Sequence, residues 1–460
     1  MASLKAKIVE AFVFSSLSRA LVKVAAFGSF LIITRHLSLA EYGNVQICFT
    51  LLGPAGVFTF LNLEKLITAD VAAFRGQNKE EDARCLLWQY GKLGAVLFVV
   101  LCVIAFLGRA IITSVWDIPL DKYFFPLLLL VFGQMEMNFV SIVFTSYEKF
   151  RFLAMLNTGE SFLRFGAVVS LLISGFSVST VLWAYAFAKL GVTIAATPTV
   201  ARFMRPFQSS QQSRVQLSPL RTILKQHGKW EVVNGYVDVV TSNLWPWLLH
   251  FFVGPAAVGI YAFADKIIGF ISSSLPIENS LFPIIGRSIY EKRDRSIILI
   301  RKIKKYALFI YVGVVALIFV GAKFFIHIFV PQYISSIPFI YLLCLGFFID
   351  VFALGQASVL YALKQQNLLF QMRIIIIIFR IIVQVVLTYF FGIWGLTISF
   401  LVMNIFTVSI REYLLHVKVG LPLWQSRGFF HFDEYDRIAL RYILSRGGKI
   451  AERFFPSFFH

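Results

Sequence analysis

Charged residues are scarce in this chain, and that scarcity excludes most soluble folds. Asp, Glu, Lys and Arg make up 15% of the 460 residues, whereas 58% are hydrophobic. A water-soluble domain typically contains about 25% charged residues, because its surface must face water. The mean hydropathy of +0.77 therefore indicates a polytopic membrane protein with little mass outside the bilayer.

The sequence also lacks the common phosphate-binding and metal-binding motifs. No Gly-rich loop ends in Lys-Ser or Lys-Thr, because Gly447-Gly448-Lys449 is followed by Ile450, and no His-Glu-x-x-His occurs. The four cysteines have no disulfide or metal-binding spacing, and we expect them to be small apolar fillers. These absences argue against ATP hydrolysis, a bound metal or another cofactor, and they favour a transporter over an enzyme.

Long apolar segments predict an all-α fold with twelve membrane-spanning helices. Charged residues, prolines and glycines separate these segments. Their approximate limits are 10–33, 44–63, 92–113, 123–145, 155–176, 179–200, 231–252, 257–284, 306–329, 335–361, 368–391 and 393–414. The even number places both termini on the same side of the membrane.

Basic residues are distributed unevenly between the two sides. The predicted outer loops contain only Arg35, Arg109, Lys122 and Lys323, whereas the inner loops and both ends of the chain hold most of the 43 Lys and Arg residues. The positive-inside rule therefore places both termini in the cytoplasm. The net charge of +19 reflects this topology and an attraction to anionic lipids, and we expect no nucleic-acid partner.

Two cations interrupt the first apolar stretch, which runs from Ala11 to Thr34. Arg19 and Lys23 are four residues apart and therefore share one helical face. A cation at the centre of a spanning helix costs about 2.5–3.5 kcal/mol on insertion scales, so this face should look into protein or into a water-filled cavity. Two interpretations stay open, namely salt bridges to acids on other helices or a binding site for an anion such as phosphate.

Further ionisable residues lie within the predicted spans, and we divide them by charge. The candidate substrate-binding cations are Arg19, Lys23, Arg164, Lys266 and Arg380. The candidate acids for ion coupling or gating are Glu136, Glu160, Asp238, Asp265 and Asp350. Lys189 is also a cation within a span, and Glu160 can pair with Arg164 because the two are four residues apart. Arginine suits phosphate because its planar guanidinium donates two parallel hydrogen bonds.

The chain contains an internal repeat, in which the second half matches the first at a shift of about 216 residues. Leu37–Asn44 follows the first predicted span, and Val253–Ile260 follows the seventh at this shift. Each half has six spans, so the repeat is parallel, and two such bundles around a central cavity are typical of a transporter. The predicted domains are an amino-terminal bundle at 1–205, a cytoplasmic linker at 206–230, a carboxy-terminal bundle at 231–415 and a cytoplasmic tail at 416–460 with an amphipathic helix near 435–446.

Three short segments resemble a known family. They are Arg35–Gly43, Arg75–Asn78 and Lys149–Leu153. Together they resemble the polysaccharide transport branch of the multidrug/oligosaccharidyl-lipid/polysaccharide (MOP) exporter superfamily, and in particular the Wzx-type O-antigen flippases, over about residues 8–415. The resemblance implies two six-helix bundles around a cationic central cavity, with Arg19 and Lys23 as cavity cations. It also implies movement of an undecaprenyl-pyrophosphate-linked oligosaccharide across the bacterial inner membrane.

Several other functions compete with this one. An ion-coupled exporter of organic cations would need acids rather than bases in its cavity, and lipid II flippases of the superfamily usually have fourteen spans. A glycosyltransferase or O-antigen polymerase would need a large periplasmic loop, which the short outer loops do not provide. The expected partners are the lipid-linked substrate, H⁺ or Na⁺ as a coupling ion, anionic lipids and other polysaccharide-assembly membrane proteins.

Overall fold

The computed structural model describes residues 2–116, 120–204, 220, 229–274, 293–363 and 366–420. Within these residues the regular structure is entirely helical, with one 3₁₀ helix and no strand. The helix expected near 435–446 and most of the linker at 206–230 lie outside the described residues.

Fifteen α-helices are found in the described residues, and we number them in chain order. They are α1 Ala2–His36, α2 Leu39–Thr50, α3 Leu52–Phe60, α4 Glu64–Gly76, α5 Glu80–Trp116, α6 Leu120–Ser146, α7 Phe150–Ser174, α8 Val178–Met204, α9 Lys229–Phe252, α10 Pro255–Ser272, α11 Arg293–Phe329, α12 Ile337–Cys344, α13 Gly346–Ala353, α14 Gln356–Ala362 and α15 Gln366–Val419. The 3₁₀ helix, Pro331–Ser336, precedes α12.

The described residues contain nine stretches that are long and apolar enough to cross a membrane. The last of them, Phe370–Lys418, includes Gly392 with a non-helical backbone at φ 55° and ψ −129°. This stretch therefore contains two crossings, as the sequence predicted. α7 and α9 are 25 and 24 residues long, which is enough to cross a membrane, but they are not among these nine stretches, so the count of twelve crossings stays a prediction. The predicted all-α polytopic architecture is confirmed.

The second predicted span is broken into α2 and α3 at Leu51. Pro54 lies in the first turn of α3 and has no N–H to bond the carbonyl of Thr50. The Thr50 hydroxyl donates to the Ile47 carbonyl at 2.6 Å and accepts a hydrogen bond from Trp247 Nε1 of α9 at 3.0 Å. The break is therefore held by a side chain from another helix.

α2 and α10 begin at equivalent positions of the internal repeat but start differently. Ser38 caps α2 in a capping box, in which its backbone N–H donates to the Glu41 carboxylate at 2.9 Å and its Oγ accepts from Glu41 N at 3.3 Å. α10 instead follows Gly254, whose φ of 112° is accessible to glycine. Pro255 then occupies the first turn, where no N–H is needed.

The same two helices cross so closely that their backbones touch. A Cβ added to Gly43 would overlap the carbonyl oxygen of Pro255, and one added to Gly259 would overlap the carbonyl oxygen of Leu39. The 216-residue shift relates Gly43 to Gly259 and Leu39 to Pro255. The contact is therefore reciprocal, as in an interface between two identical subunits, and it follows the internal repeat.

The chain divides into two compact units. The first comprises Met1–Leu275, Ala316–Gly346 and Ile374–Met403, and the second comprises Pro276–Val315, Phe347–Arg373 and Asn404–His460. Buried polar contacts stabilise the second unit, where Lys304 Nζ of α11 donates to the Phe352 carbonyl at 2.9 Å. In the same unit, Gln356 Nε2 donates to the Glu412 carboxylate at 3.0 Å. All three cavities described below lie within the first unit.

Candidate functional site

Two cationic side chains, one from α7 and one from α8, meet at a single carboxylate of α7. Arg164 Nη1 lies 3.3 Å and Lys189 Nζ lies 3.9 Å from Oε1 of Glu160. The Glu160–Arg164 pair predicted from the four-residue spacing is confirmed. Because two cations share one carboxylate, the cluster has a surplus positive charge at membrane depth, where charge is costly unless something anionic balances it.

A cavity of about 290 Å³ opens beside this cluster, and we call it the cationic cavity. Its cations are Arg164, Lys189 and Lys266, and the last of these comes from α10. Its uncharged polar residues are Gln46, Gln134, Tyr42 and Tyr185. Among the described residues, no acidic side chain lines it. The cavity can therefore attract and hold an anion.

Aromatic side chains close part of the cationic cavity. Phe30 stacks on Phe263 with ring centroids 5.2 Å apart, and Phe263 stacks on Tyr333 at 4.3 Å. Tyr42 meets the edge of Tyr333 at 6.0 Å and is only 2% exposed. The Tyr42 hydroxyl has no hydrogen-bond partner among the described residues. An unsatisfied buried polar group costs about 1–3 kcal/mol, so a hydrogen bond to this hydroxyl would be favourable.

A second cavity, of about 420 Å³, lies between α1 and α7. Arg19, Lys23, Asn157, Glu160 and Arg164 all line it. Lys23 Nζ donates to the Ser273 carbonyl at 2.5 Å. Since Arg164 lines both cavities, the cations of α1 and those of the cationic cavity border neighbouring spaces. A substrate-binding role for Arg19 and Lys23 stays a prediction.

Five of the residues predicted for the site line neither cavity. They are Glu136, Asp238, Asp265, Asp350 and Arg380. Arg380 lies within electrostatic range of Asp238, and Asp265 lies within range of its neighbour Lys266 and of Tyr42 in the cationic cavity. Glu136 is half-buried on α6, whereas Asp350 belongs to the second unit. The coupling and gating roles of these acids, and a substrate role for Arg380, stay predictions.

Some residues of the cationic cavity were not proposed from the sequence. Lys189 was noted as a cation within a span but was not assigned to substrate binding. Tyr42, Tyr185 and Gln134 carry no charge, and in a chain with 17 tyrosines they give no signal of their own. A polar residue in the middle of a span, as Gln134 is, was the feature that could have pointed to the site.

Comparison with known families gives one match. The family model described as "Polysaccharide biosynthesis protein" matches residues 8–289. This match covers more than half of the chain and includes α1, α7, α8 and α10, which supply all the cations of both cavities. Among curated proteins, none matches the chain.

Solved structures of MOP transporters share the fold. An inward-facing multidrug resistance MATE family transporter of the MOP superfamily superposes with a TM-score of 0.70 at 15% identity, covering 89% of this chain and 98% of that one. The lipid II flippase MurJ, in an inward closed conformation, gives 0.67 at 11% identity, covering 98% and 100%. A MOP transporter from Pyrococcus furiosus, described as having a binding pocket of reverse polarity, gives 0.59 at 13%, covering 91% and 96%. The predicted MOP-type fold class is confirmed.

Proposed function

Because this chain belongs to the polysaccharide biosynthesis protein family, we propose that it moves an undecaprenyl-pyrophosphate-linked oligosaccharide across the bacterial inner membrane. The chain is a membrane transporter of the flippase type with the MOP fold. The specific cargo, an O-antigen or related repeat unit, is the part that we propose. The observation that carries the proposal is the cationic cavity with its three bases.

A diphosphate is the chemical group that this cavity suits best. Arg164 offers a planar guanidinium, and Lys189 and Lys266 add two ammonium groups from other helices. Charge-assisted hydrogen bonds to phosphate oxygens are shorter and about twice as strong as neutral ones. A cavity enclosed by apolar helices also screens charges less than water does, so the attraction for a dianionic headgroup is strengthened.

Transport by alternating access then follows from the parallel repeat. The headgroup would enter the cavities from the cytoplasmic side, while the lipid tail stays in the bilayer. Release on the far side requires that the affinity of these cations for the diphosphate falls. Glu160 already contacts two of these cations and is our candidate for coupling release to H⁺ or Na⁺.

Two other cargoes are less well supported. An organic cation would be repelled by Arg164, Lys189 and Lys266, although MATE transporters share the fold. Lipid II carries a diphosphate, and MurJ matches almost the whole chain, so its headgroup would fit the same cations. The sequence predicts twelve crossings, fewer than the fourteen that lipid II flippases usually have, and we therefore favour the oligosaccharide.

The proposal is tested by deletion of the gene followed by analysis of lipid-linked sugars. We expect undecaprenyl-linked repeat units to accumulate on the cytoplasmic leaflet and surface polysaccharide to be lost. If repeat units still reach the periplasm and only the polymer is missing, the proposed function is wrong and the result favours a polymerase.

A matched pair of lysine variants ties the phenotype to the cavity. Lys266→Ala removes a cation of the cationic cavity, whereas Lys323→Ala removes an exposed lysine on α11. We expect the first variant to complement the deletion poorly and the second to complement it fully, at equal amounts in the membrane. Equal complementation by both variants would show that Lys266 of the cationic cavity is not needed for transport.

A further inference from the structure

A third cavity of the first unit has a different chemistry from the other two. Its volume is about 330 Å³, and its polar residues are Asn62, Glu64, Gln134 and Asn138. We call it the amide recess, and among the described residues no basic side chain lines it. Gln134 also lines the cationic cavity, so the two spaces adjoin at this side chain.

The amides of the recess are suited to bind hydroxyl groups. Gln134 and Asn138 are one turn apart on α6, and Gln134 Nε2 donates to Asn138 Oδ1 at 2.8 Å. This bond uses one of the two donors of Gln134 and one acceptor position of Asn138, and each amide has further donor and acceptor capacity. A sugar hydroxyl both donates and accepts, so it matches such a pair.

The size of the recess and its hydrogen-bonding groups suit a small molecule such as a sugar. A volume of about 330 Å³ falls within the range of small-molecule sites, about 300–1,000 Å³. Burial raises the pKa of Glu64, while nearby Lys65 acts in the opposite direction. A carboxyl group accepts a hydrogen bond from a hydroxyl when it is ionised and donates one when it is protonated, so Glu64 can bind a sugar hydroxyl in either form.

We propose that the amide recess binds the first sugar of the lipid-linked substrate while the cationic cavity holds its diphosphate. This inference rests on the proposed function. In such a substrate the first sugar is bonded directly to the diphosphate, so the two groups must occupy adjoining spaces. Asn62, Glu64 and Asn138 would then contribute to sugar selectivity, and Gln134 would contact the substrate at the junction.

Gly56 provides a way to fill the recess without touching a cation. A Cβ at Gly56 would lie 3.9 Å from Asn138 Nδ2, with no other atom within 4 Å. Gly56→Val should therefore project into open space inside the recess. Gly166 on α7 has nothing within 4 Å of its Cβ position and lines none of the three cavities, so Gly166→Val is the matched control.

The test measures binding of two kinds of probe to the full chain in lipid nanodiscs. One is farnesyl diphosphate, which has no sugar. The others are farnesyl diphosphates that carry glucose, galactose or N-acetylglucosamine, and the best-bound of these is used for the variants. We expect Asn138→Leu and Gly56→Val to weaken the sugar-bearing probe about tenfold, roughly the loss of one or two hydrogen bonds, and to leave farnesyl diphosphate unchanged.

Lys266→Ala separates this inference from the proposed function. We expect it to weaken both probes, and Gly166→Val to weaken neither. Equal losses of both probes in Asn138→Leu and Gly56→Val, no preference of the wild type for any sugar, or an effect of these variants on Na⁺ binding alone would overturn the sugar subsite. Failure of the wild type to bind farnesyl diphosphate at all would overturn the proposed function itself.

Discussion

Glu160 is the residue on which the electrostatics of the site depend. Its carboxylate is 10% exposed and contacts both Arg164 and Lys189. Removing one partner from a buried ion pair leaves a charge without compensation, which is more costly than the pair is favourable. Glu160 therefore stabilises the empty site, and an incoming diphosphate would compete with it for the same two cations.

The variant Glu160→Gln separates these two effects. We expect the free energy of unfolding to fall by about 3 kcal/mol, because two cations lose their counter-charge. We also expect affinity for inorganic pyrophosphate to rise, since the cations no longer have an internal competitor. Thermal unfolding with and without pyrophosphate measures both effects, because a bound ligand raises the unfolding temperature.

Ser161→Ala is the control for this variant. Ser161 Oγ donates to the other carboxylate oxygen of Glu160 at 3.4 Å, so its removal disturbs the same group without changing charge. We expect a small loss of stability and no gain in pyrophosphate affinity. A Glu160→Gln protein that binds pyrophosphate no more tightly than wild type would show that Glu160 does not compete with the anion.

At the level of helices, the crossing of α2 and α10 depends on two glycines. Their Cα atoms allow the backbones to touch, and the contact has the same form on both sides because Gly43 and Gly259 are equivalent in the repeat. Small residues serve this purpose widely where membrane helices approach closely. Any motion that separates α2 from α10 must break this contact as a whole.

Alanine at either glycine is expected to destabilise the crossing. Gly43→Ala places a methyl group on the Pro255 carbonyl, and Gly259→Ala places one on the Leu39 carbonyl. Overpacking costs about 1–3 kcal/mol, and backbone atoms cannot move aside as a side chain can. We expect each variant to lower the unfolding temperature, while Gly166→Ala, which meets nothing within 4 Å, leaves it unchanged.

The double variant distinguishes one shared contact from two separate ones. Once Gly43→Ala has pushed the helices apart, the second methyl group has more room, so Gly259→Ala should cost less than it does alone. Mutations at contacting sites are non-additive in this way. Fully additive losses would mean that each methyl group is accommodated locally and that the helices do not separate.

For the molecule as a whole, the fold could be predicted from the sequence because membrane helices are local. A run of about 20 apolar residues identifies a crossing without knowledge of its neighbours. The breaks were harder to place, since α2 and α3 were expected as one span and α4, Glu64–Gly76, as part of a loop. α4 is a short amphipathic helix in which Ile67 and Val71 are buried, so a search for long apolar runs does not find it.

The site was only partly predictable, for a physical reason. An ionisable residue within a span must face protein or water, and Arg19, Lys23, Arg164 and Lys266 line cavities of the first unit, while their role in substrate binding stays a prediction. The same argument does not say what each residue faces, and Arg380 lies near Asp238 instead. Neutral residues such as Tyr42 join the site only through the three-dimensional packing of distant segments.

The membrane topology is the prediction that depends on the whole chain. α7 tests it best, because it holds Glu160 and Arg164 and is not among the nine stretches that qualify on apolarity within the described residues. Lys149 and Ser174 lie at its two ends and are exposed.

With the four native cysteines replaced, single cysteines at these two positions can be labelled in intact cells with a membrane-impermeant maleimide. The positive-inside rule places residue 149 in the cytoplasm, so we expect labelling at 174 only. Labelling at both positions would mean that α7 does not cross the membrane, and labelling at 149 alone would reverse the orientation of the entire chain.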